Sequence, residues 1–250
     1  IIQSVAVIST GGGTFCTGFL INNANNDCRP LFMTAAHCGI GVGNAPSLVT
    51  YWNFISAVCR EPGSGASGGN GGGTLADFNT GATHLATNSP SDMTIVEMDD
   101  DISPTADAFF AGWDRDFVTP TDTMIGVHHP STDEKRISFS FVDPHRGVWP
   151  GAGEVPGGDH LVIPDWDIGT TEGGSSGSPI FDRFKRVRGQ LHGGGAACGN
   201  DLYDTYGYLA SSWEGGGTAA TRLRDHLDPN NTGVMAIDGR FQAACAISVS

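Results

Sequence analysis

The apolar segments of this chain are short, and nearly every one is ended by glycine, asparagine or proline. Runs of four to eight apolar residues between such punctuation suit strands, whereas helices need longer stretches with a 3.6-residue period. Ile1 to Ile8 reads as a strand stopped by a turn over Thr10 to Thr14, and Phe15 to Ile21 as its partner before an Asn-rich loop from Asn22 to Asp27. Further strands are predicted at Leu31 to Thr34, Leu48 to Ser56 and Met93 to Met98, with a solvated Gly/Ser loop from Glu61 to Gly73. Beyond a change of lobe near Ile102 to Ala108, strands are predicted at Met124 to His128, Ile137 to Val142, His160 to Ile163, Pro179 to Asp182, Val187 to His192 and Tyr206 to Ser212. One helix is predicted, Thr218 to Leu227, with Thr218 as its cap, Leu223 and Leu227 on one face and Pro229 as its stop. Many short strands, 37 glycines and one late helix predict an all-β chain of two packed antiparallel β-barrels with a C-terminal helix. The first lobe is expected over 1–103, the second over 104–239, and a tail over 240–250.

Three fragments carry chemistry. In Gly173-Gly174-Ser175-Ser176-Gly177-Ser178-Pro179 a serine is set among glycines, which hold its hydroxyl on a tight turn and let neighbouring N–H groups point to one spot. Such a serine needs a base to take its proton. His37 at the end of Thr34-Ala35-Ala36-His37 supplies the base, and Asp92 just before Met93 supplies an acid to orient it. The order His, Asp, Ser matches the chymotrypsin arrangement, and the Gly-x-Ser-x-Gly elbow of the α/β-hydrolases fails because Ser178 stands at its second glycine. These residues predict a serine endopeptidase with a cleft between its lobes, His37 and Asp92 coming from the first and Ser176 from the second.

Charge narrows the partners. Thirteen basic against 27 acidic residues give a net charge of −14, which argues against nucleic acid and anionic membranes and is compatible with a cationic substrate, though charge alone does not identify one. Six cysteines in a turn-rich chain fit an oxidising, extracellular compartment. No apolar run has the length of a membrane span, and no signal peptide opens the chain, so a secreted protein is expected to have had its leader removed or left out. The acidic run Glu97, Asp99, Asp100, Asp101 lacks the spacing of a calcium loop and reads as a solvated turn, so no metal or other cofactor is expected. The basic residues Arg183, Lys185, Arg186 and Arg188 read as a solvated hairpin, His128-His129 as strand-end structure, and His84, His145, His160 and His226 receive no role.

The chain resembles the lysyl endopeptidases, secreted bacterial serine proteases of trypsin-like fold. The likeness runs through Thr34 to Gly39, Ser91-Asp92, Ala111-Gly112-Trp113-Asp114-Arg115, His128-His129-Pro130 and Glu134 to Ser138. It continues through Thr171 to Ile180, Gly189-Gln190-Leu191-His192-Gly193-Gly194, Tyr206-Gly207, Trp213 to Gly217 and Leu227-Asp228-Pro229. A monomer acting on protein and peptide substrates is expected, and the resemblance implies cleavage after lysine, with His37, Asp92 and Ser176 as triad and the N–H groups of Gly174 and Ser176 as oxyanion hole. It implies that Leu191-His192-Gly193 lies beside the substrate backbone and that Trp149 stacks with His192 near the catalytic histidine. The trypsin pocket acid lies six residues before the nucleophile, where this chain has Thr170; the resemblance moves that acid to Asp204, with Asp201 and Glu172 competing. A bridge between Cys16 and Cys38 is implied too. Ile1-Ile2 would follow an extension holding the partners of Cys59 and Cys198, and Cys28 and Cys245 remain unassigned. A glutamyl or arginyl protease, or an inactive protease-like binding module, are the competing readings.

Overall fold

Why the first half forms a sheet is visible in its burial. Strands β1 (Val5–Ser9), β2 (Cys16–Leu20) and β3 (Leu31–Ala35) are buried along their whole length. They are joined by β4 (Val49–Trp52), β5 (Asp77–Thr80), β6 (Ala82–Asn88) and β7 (Met93–Met98) in one antiparallel sheet of order β5-β4-β1-β2-β3-β7-β6. The computed structural model describes residues 1–58 and 71–245; most of the Gly/Ser loop expected at Glu61 to Gly73, and Cys59, lie outside the described residues.

The second sheet is larger. A two-residue strand β8 (Phe109–Phe110) precedes β9 (Gly112–Asp114), β10 (Met124–His128), β11 (Arg136–Ser140), β12 (His145–Gly147), β13 (His160–Ile163), β14 (Pro179–Phe181), β15 (Arg186–Gly194) and β16 (Asp204–Tyr208). Its path is β11-β10-β14-β15-β16-β13-β12, with β9 added parallel to β15 and β17 (Ala236–Ile237) added to β9. The strand β18 (Arg240–Phe241) pairs with β8. Both sheets curl as half-barrels, and three apolar clusters fill them. One lies in each sheet, around Phe32 and Trp52 and around Leu161 and Tyr206, while a third joins Phe19 and Met33 of the first to Trp113 and Phe181 of the second and to Trp213, which follows β16.

The late chain departs from expectation in two places. Strand β16 ends at Tyr208, and Leu209–Glu214 is a helix, α1, whose buried residues Leu209, Ala210, Ser212 and Trp213 follow helical rather than alternating spacing. The helix expected from Thr218 to Leu227 forms only in its last turn, α2 (Arg224–Leu227). The Thr218 and Thr221 hydroxyls bond to each other at 2.8 Å, and Thr221 Oγ1 accepts the Thr218 N–H and donates to the Thr218 carbonyl. These local bonds close a turn that competes with the helix.

Two further features matter below. The β14–β15 turn is clamped by Asp182, whose Oδ1 accepts the N–H groups of Phe184 and Arg186 at 2.9 and 3.1 Å, with Lys185 left-handed at φ 64°. Arg188 corrects the reading of a wholly solvated basic hairpin. It is buried, pairs with Asp114 at 2.8 Å, and donates to the Asp116 and Val118 carbonyls. Disulfides join Cys16 to Cys38 and Cys28 to Cys245. The second ties the Asn-rich loop to the end of the described chain, a pairing the sequence left open; Cys198 is free and exposed.

Candidate active site

The register of β3 with β7 builds the first half of the site. Ala35 pairs with Met93, so the residues following β3 meet the residue preceding β7. Ala36 N–H donates to the Asp92 carbonyl at 2.8 Å, and the chain turns through a 3₁₀ segment, Ala36–Cys38. Asp92, left-handed at φ 52° and 2% exposed, accepts from the His37 N–H through Oδ1 (2.9 Å) and meets His37 Nδ1 through Oδ2 (2.8 Å). A carboxylate only accepts, so the His37 proton sits on Nδ1 and its Nε2 is left as a base.

Asp92 is also held from the second sheet. Gln190 Nε2 donates to the carbonyls of Ser91 (2.8 Å) and Asp92 (3.0 Å). Gly207 on β16 is needed here, because a Cβ at that position would collide with the Ser91 carbonyl and Gln190 Nε2.

The serine loop is stitched across the same seam. Thr17 N–H donates to the Ser176 carbonyl at 2.9 Å, Thr17 Oγ1 donates to the Gly174 carbonyl at 2.8 Å, and Gly177 N–H donates to the Leu191 carbonyl at 2.8 Å. Gly177, at φ 83°, packs so tightly on Thr17, Thr34 and Ala35 that no side chain fits. The Cys38 sulfur, one residue from His37, lies 3.8 Å from the Ser176 carbonyl oxygen. Among the described residues the N–H groups of Gly174 and Ser176 have no acceptor, which leaves two donors on the loop that carries the serine.

Ser175 and the paired histidines support this loop from below. His128 meets Ser175 Oγ at Nδ1 and Ser138 Oγ at Nε2, both at 2.9 Å, and Ser138 Oγ donates to the Thr170 carbonyl. Burial pushes His128 down to about 3 and His129 well below its ordinary value, so both are neutral braces, as strand-end structure requires.

Two of the residues expected beside the substrate form a stack with His37. His192 lies 5.2 Å from His37, nearly parallel at 15°, and Trp149 stacks on His192 at 4.3 Å and 20°. Leu191 is buried, with its N–H on the Ser178 carbonyl and its carbonyl on Gly177. Its backbone therefore fixes the serine loop, and the open edge of β15 starts at His192-Gly193, beyond the end of β14.

The acid candidates are separated by their surroundings. Asp204 is 1% exposed, and its Oδ2 accepts from Trp166 Nε1 (2.8 Å) and Thr171 Oγ1 (2.6 Å). Burial raises it to about 6 against the pull of those two donors. Glu172 is committed elsewhere, to Ser131 Oγ and the Cys198 N–H, and Asp201 is exposed. Trp166, invisible in the motif pattern, is the residue that sequence reasoning missed at this acid; a lone tryptophan in a loop carries no signal for it.

Metal ligation is disfavoured by the same geometry. Donor atoms of His37, Asp92 and His192 lie within 4.8 Å of one another, as do those of Cys16, His37 and Cys38. The first set is occupied by its own hydrogen bonding, and the two sulfurs are joined in a disulfide. In the acidic run, Glu97 pairs with Arg29 at 2.6 Å and Asp99 accepts from Thr83.

Comparison with known proteins gives the family and the fold. The family described as "Lysyl endopeptidase, C-terminal domain" matches residues 1–208. A lysyl endopeptidase of Pseudomonas aeruginosa is 32% identical over 193 residues, covering 76% of this chain and 39% of that protein, so the chain spans about two fifths of its relative. Among solved structures, human heparin binding protein superposes with a TM-score of 0.58 at 16% identity, covering 93% of both chains. A Glu endopeptidase superposes with a TM-score of 0.51 at 16% identity, covering 84% of this chain and 86% of the other. These likenesses establish the fold.

Proposed function

Since the chain belongs to the lysyl endopeptidase family of trypsin-like serine proteases, we propose that it is a secreted endopeptidase hydrolysing peptide bonds after lysine. Ser176 Oγ attacks the scissile carbonyl while His37 Nε2 takes its proton; His37 then protonates the leaving amine. Asp92 keeps His37 in the required tautomer, and the Gly174 and Ser176 N–H groups receive the oxyanion. Water, deprotonated by His37, hydrolyses the acyl-enzyme and restores Ser176.

The observation that carries the lysine reading is the buried Asp204. Both of its fixed hydrogen bonds fall on Oδ2, so Oδ1 remains for an incoming ammonium, and a desolvated lysine needs such a partner. A compact ammonium suits a single carboxylate oxygen better than a planar guanidinium fork does. The same carboxylate opposes a glutamyl substrate. Protein and peptide chains are the proposed substrates of a monomer with no nucleic-acid or membrane partner, and two disulfides support an extracellular setting.

Digestion of a denatured protein and mapping of the cut bonds tests this directly. Cuts after lysine, labelling by a serine-directed phosphonate, and loss of about 10⁶ in kcat on Ser176→Ala are the expected outcomes. Cutting mainly after glutamate or arginine would overturn the lysine assignment, and turnover above about 1% in Ser176→Ala would remove that serine from the nucleophile role.

A further inference from the structure

The ring stacked on His37 has its own chain of partners. On β13, His160 is 1% exposed, and its Nδ1 lies 2.7 Å from Asp159 Oδ1. Its other nitrogen, Nε2, lies 3.0 Å from His192 Nδ1. Proton bookkeeping along this line has one neutral solution. The Asp159 carboxylate accepts, so His160 carries its hydrogen on Nδ1 and shows a lone pair at Nε2; His192 must then carry its own hydrogen on Nδ1.

That placement matters because His192 Nδ1 also lies 3.6 Å from Asp92 Oδ2, the oxygen that holds His37 at 2.8 Å. A His192 lone pair at Nδ1 would face that carboxylate oxygen repulsively. A His192 Nδ1–H with no partner on β13 would turn toward Asp92 and compete with His37. We propose that Asp159 and His160 are positioning residues that hold His192 in its Nδ1–H tautomer and draw that hydrogen away from Asp92, leaving Oδ2 to His37. The ring stacked against His37 is then uncharged and fixed when His37 becomes a cation during the reaction.

The charged and titratable groups facing His192 are Asp92 and His37 from the first sheet and Asp159 and His160 from the second, with the Trp149 ring on its flank. Burial lowers His192 to about 4 despite the pull of Asp92, in keeping with a neutral ring through the working range of a serine protease.

This inference rests on the proposed roles of His37, Asp92 and Ser176 for its effect on rate, but the tautomer is measurable without any activity. Nitrogen-15 NMR of the imidazoles at neutral pH should find His192 protonated at Nδ1 and bare at Nε2. Protonation at Nε2, or averaging between tautomers, would overturn the proposal. In kinetics, His160→Phe keeps the buried volume and removes both nitrogens; it should lower kcat about tenfold with KM within about twofold, and should move the acid limb of the pH profile. His160→Gln, whose amide oxygen can accept from His192, should recover most of the loss. Asp159→Ala, which leaves the core intact, should reproduce the defect in smaller measure should His160→Phe fail to fold. Wild-type kcat and an unshifted pH profile in these variants would leave His160 a packing residue only. A wild-type protein lacking peptidase activity would sink the functional reading and leave the NMR result to decide the tautomer.

Discussion

Asp204 is a carboxylate kept at about 6 by burial inside a protein where its unfolded value is near 3.8. Raised in the folded state, it opposes folding wherever it is ionised, and the cost fades as the pH drops toward 4. About two units correspond to something on the order of 3 kcal/mol. Asp204→Asn keeps acceptor capacity for Trp166 and Thr171 and should therefore raise the thermal midpoint at pH 8, with the gain vanishing near pH 4. The same variant should lower kcat/KM for lysyl substrates by about 10²-fold or more, since a buried ammonium loses its counter-charge. A variant that is no more stable at pH 8 would show that the carboxylate is not strained, and one that keeps the lysyl preference would show that it is not the determinant. In wild type, lysyl kcat/KM should fall as the pH drops through about 6, an inflection that Asp204→Asn removes.

At the scale of strands and turns, the His37–Asp92 contact is a consequence of pairing. The Ala35–Met93 register brings His37 to Asp92 from strands far apart in sequence, and alternating or continuous apolar runs announced both strands. The glycine-set serine was equally legible, because positive φ and close approach leave glycine as the fitting residue at Gly174 and Gly177. Polar, half-exposed β5 and β6 were not legible, since their burial patterns are irregular and one carries a bulge. Nor was the helix Leu209–Glu214, whose few apolar residues fit either period until packing chooses. His160 carries no signal in the sequence, because a lone histidine in an apolar strand says nothing of what its ring meets across the sheet. A methyl group at Gly207 would push on the Ser91 carbonyl beside the triad acid. Gly207→Ala should accordingly cost about 1–3 kcal/mol and depress kcat more than KM. An unchanged unfolding midpoint in denaturant would mean that the seam between the sheets can widen freely.

The molecule as a whole is two curled sheets closed over a shared core and crossed by long-range ties. Cys28–Cys245 spans 217 residues against 22 for Cys16–Cys38, so in the chain-entropy account it restrains the unfolded chain by about 5 kcal/mol against about 3. Replacing Cys28 and Cys245 together by serine should lower the denaturant midpoint more than replacing Cys16 and Cys38; equal shifts would point to effects in the native state instead. The clamped turn between β14 and β15 has a different meaning for a lysine-reading protease, which must survive among copies of itself. The chain has only two lysines. Lys135 is anchored through Nζ to the Ile2 carbonyl and leads straight into β11. Lys185 sits in a left-handed turn locked by Asp182, a shape unlike the extended strand a cleft of this kind reads. Under the proposed lysine specificity, self-digestion is confined to loosened molecules. Asp182→Ala should convert the enzyme on standing into a nicked form cut after Lys185, whose pieces 1–185 and 186–250 stay joined by Cys28–Cys245 and separate on a gel only after reduction.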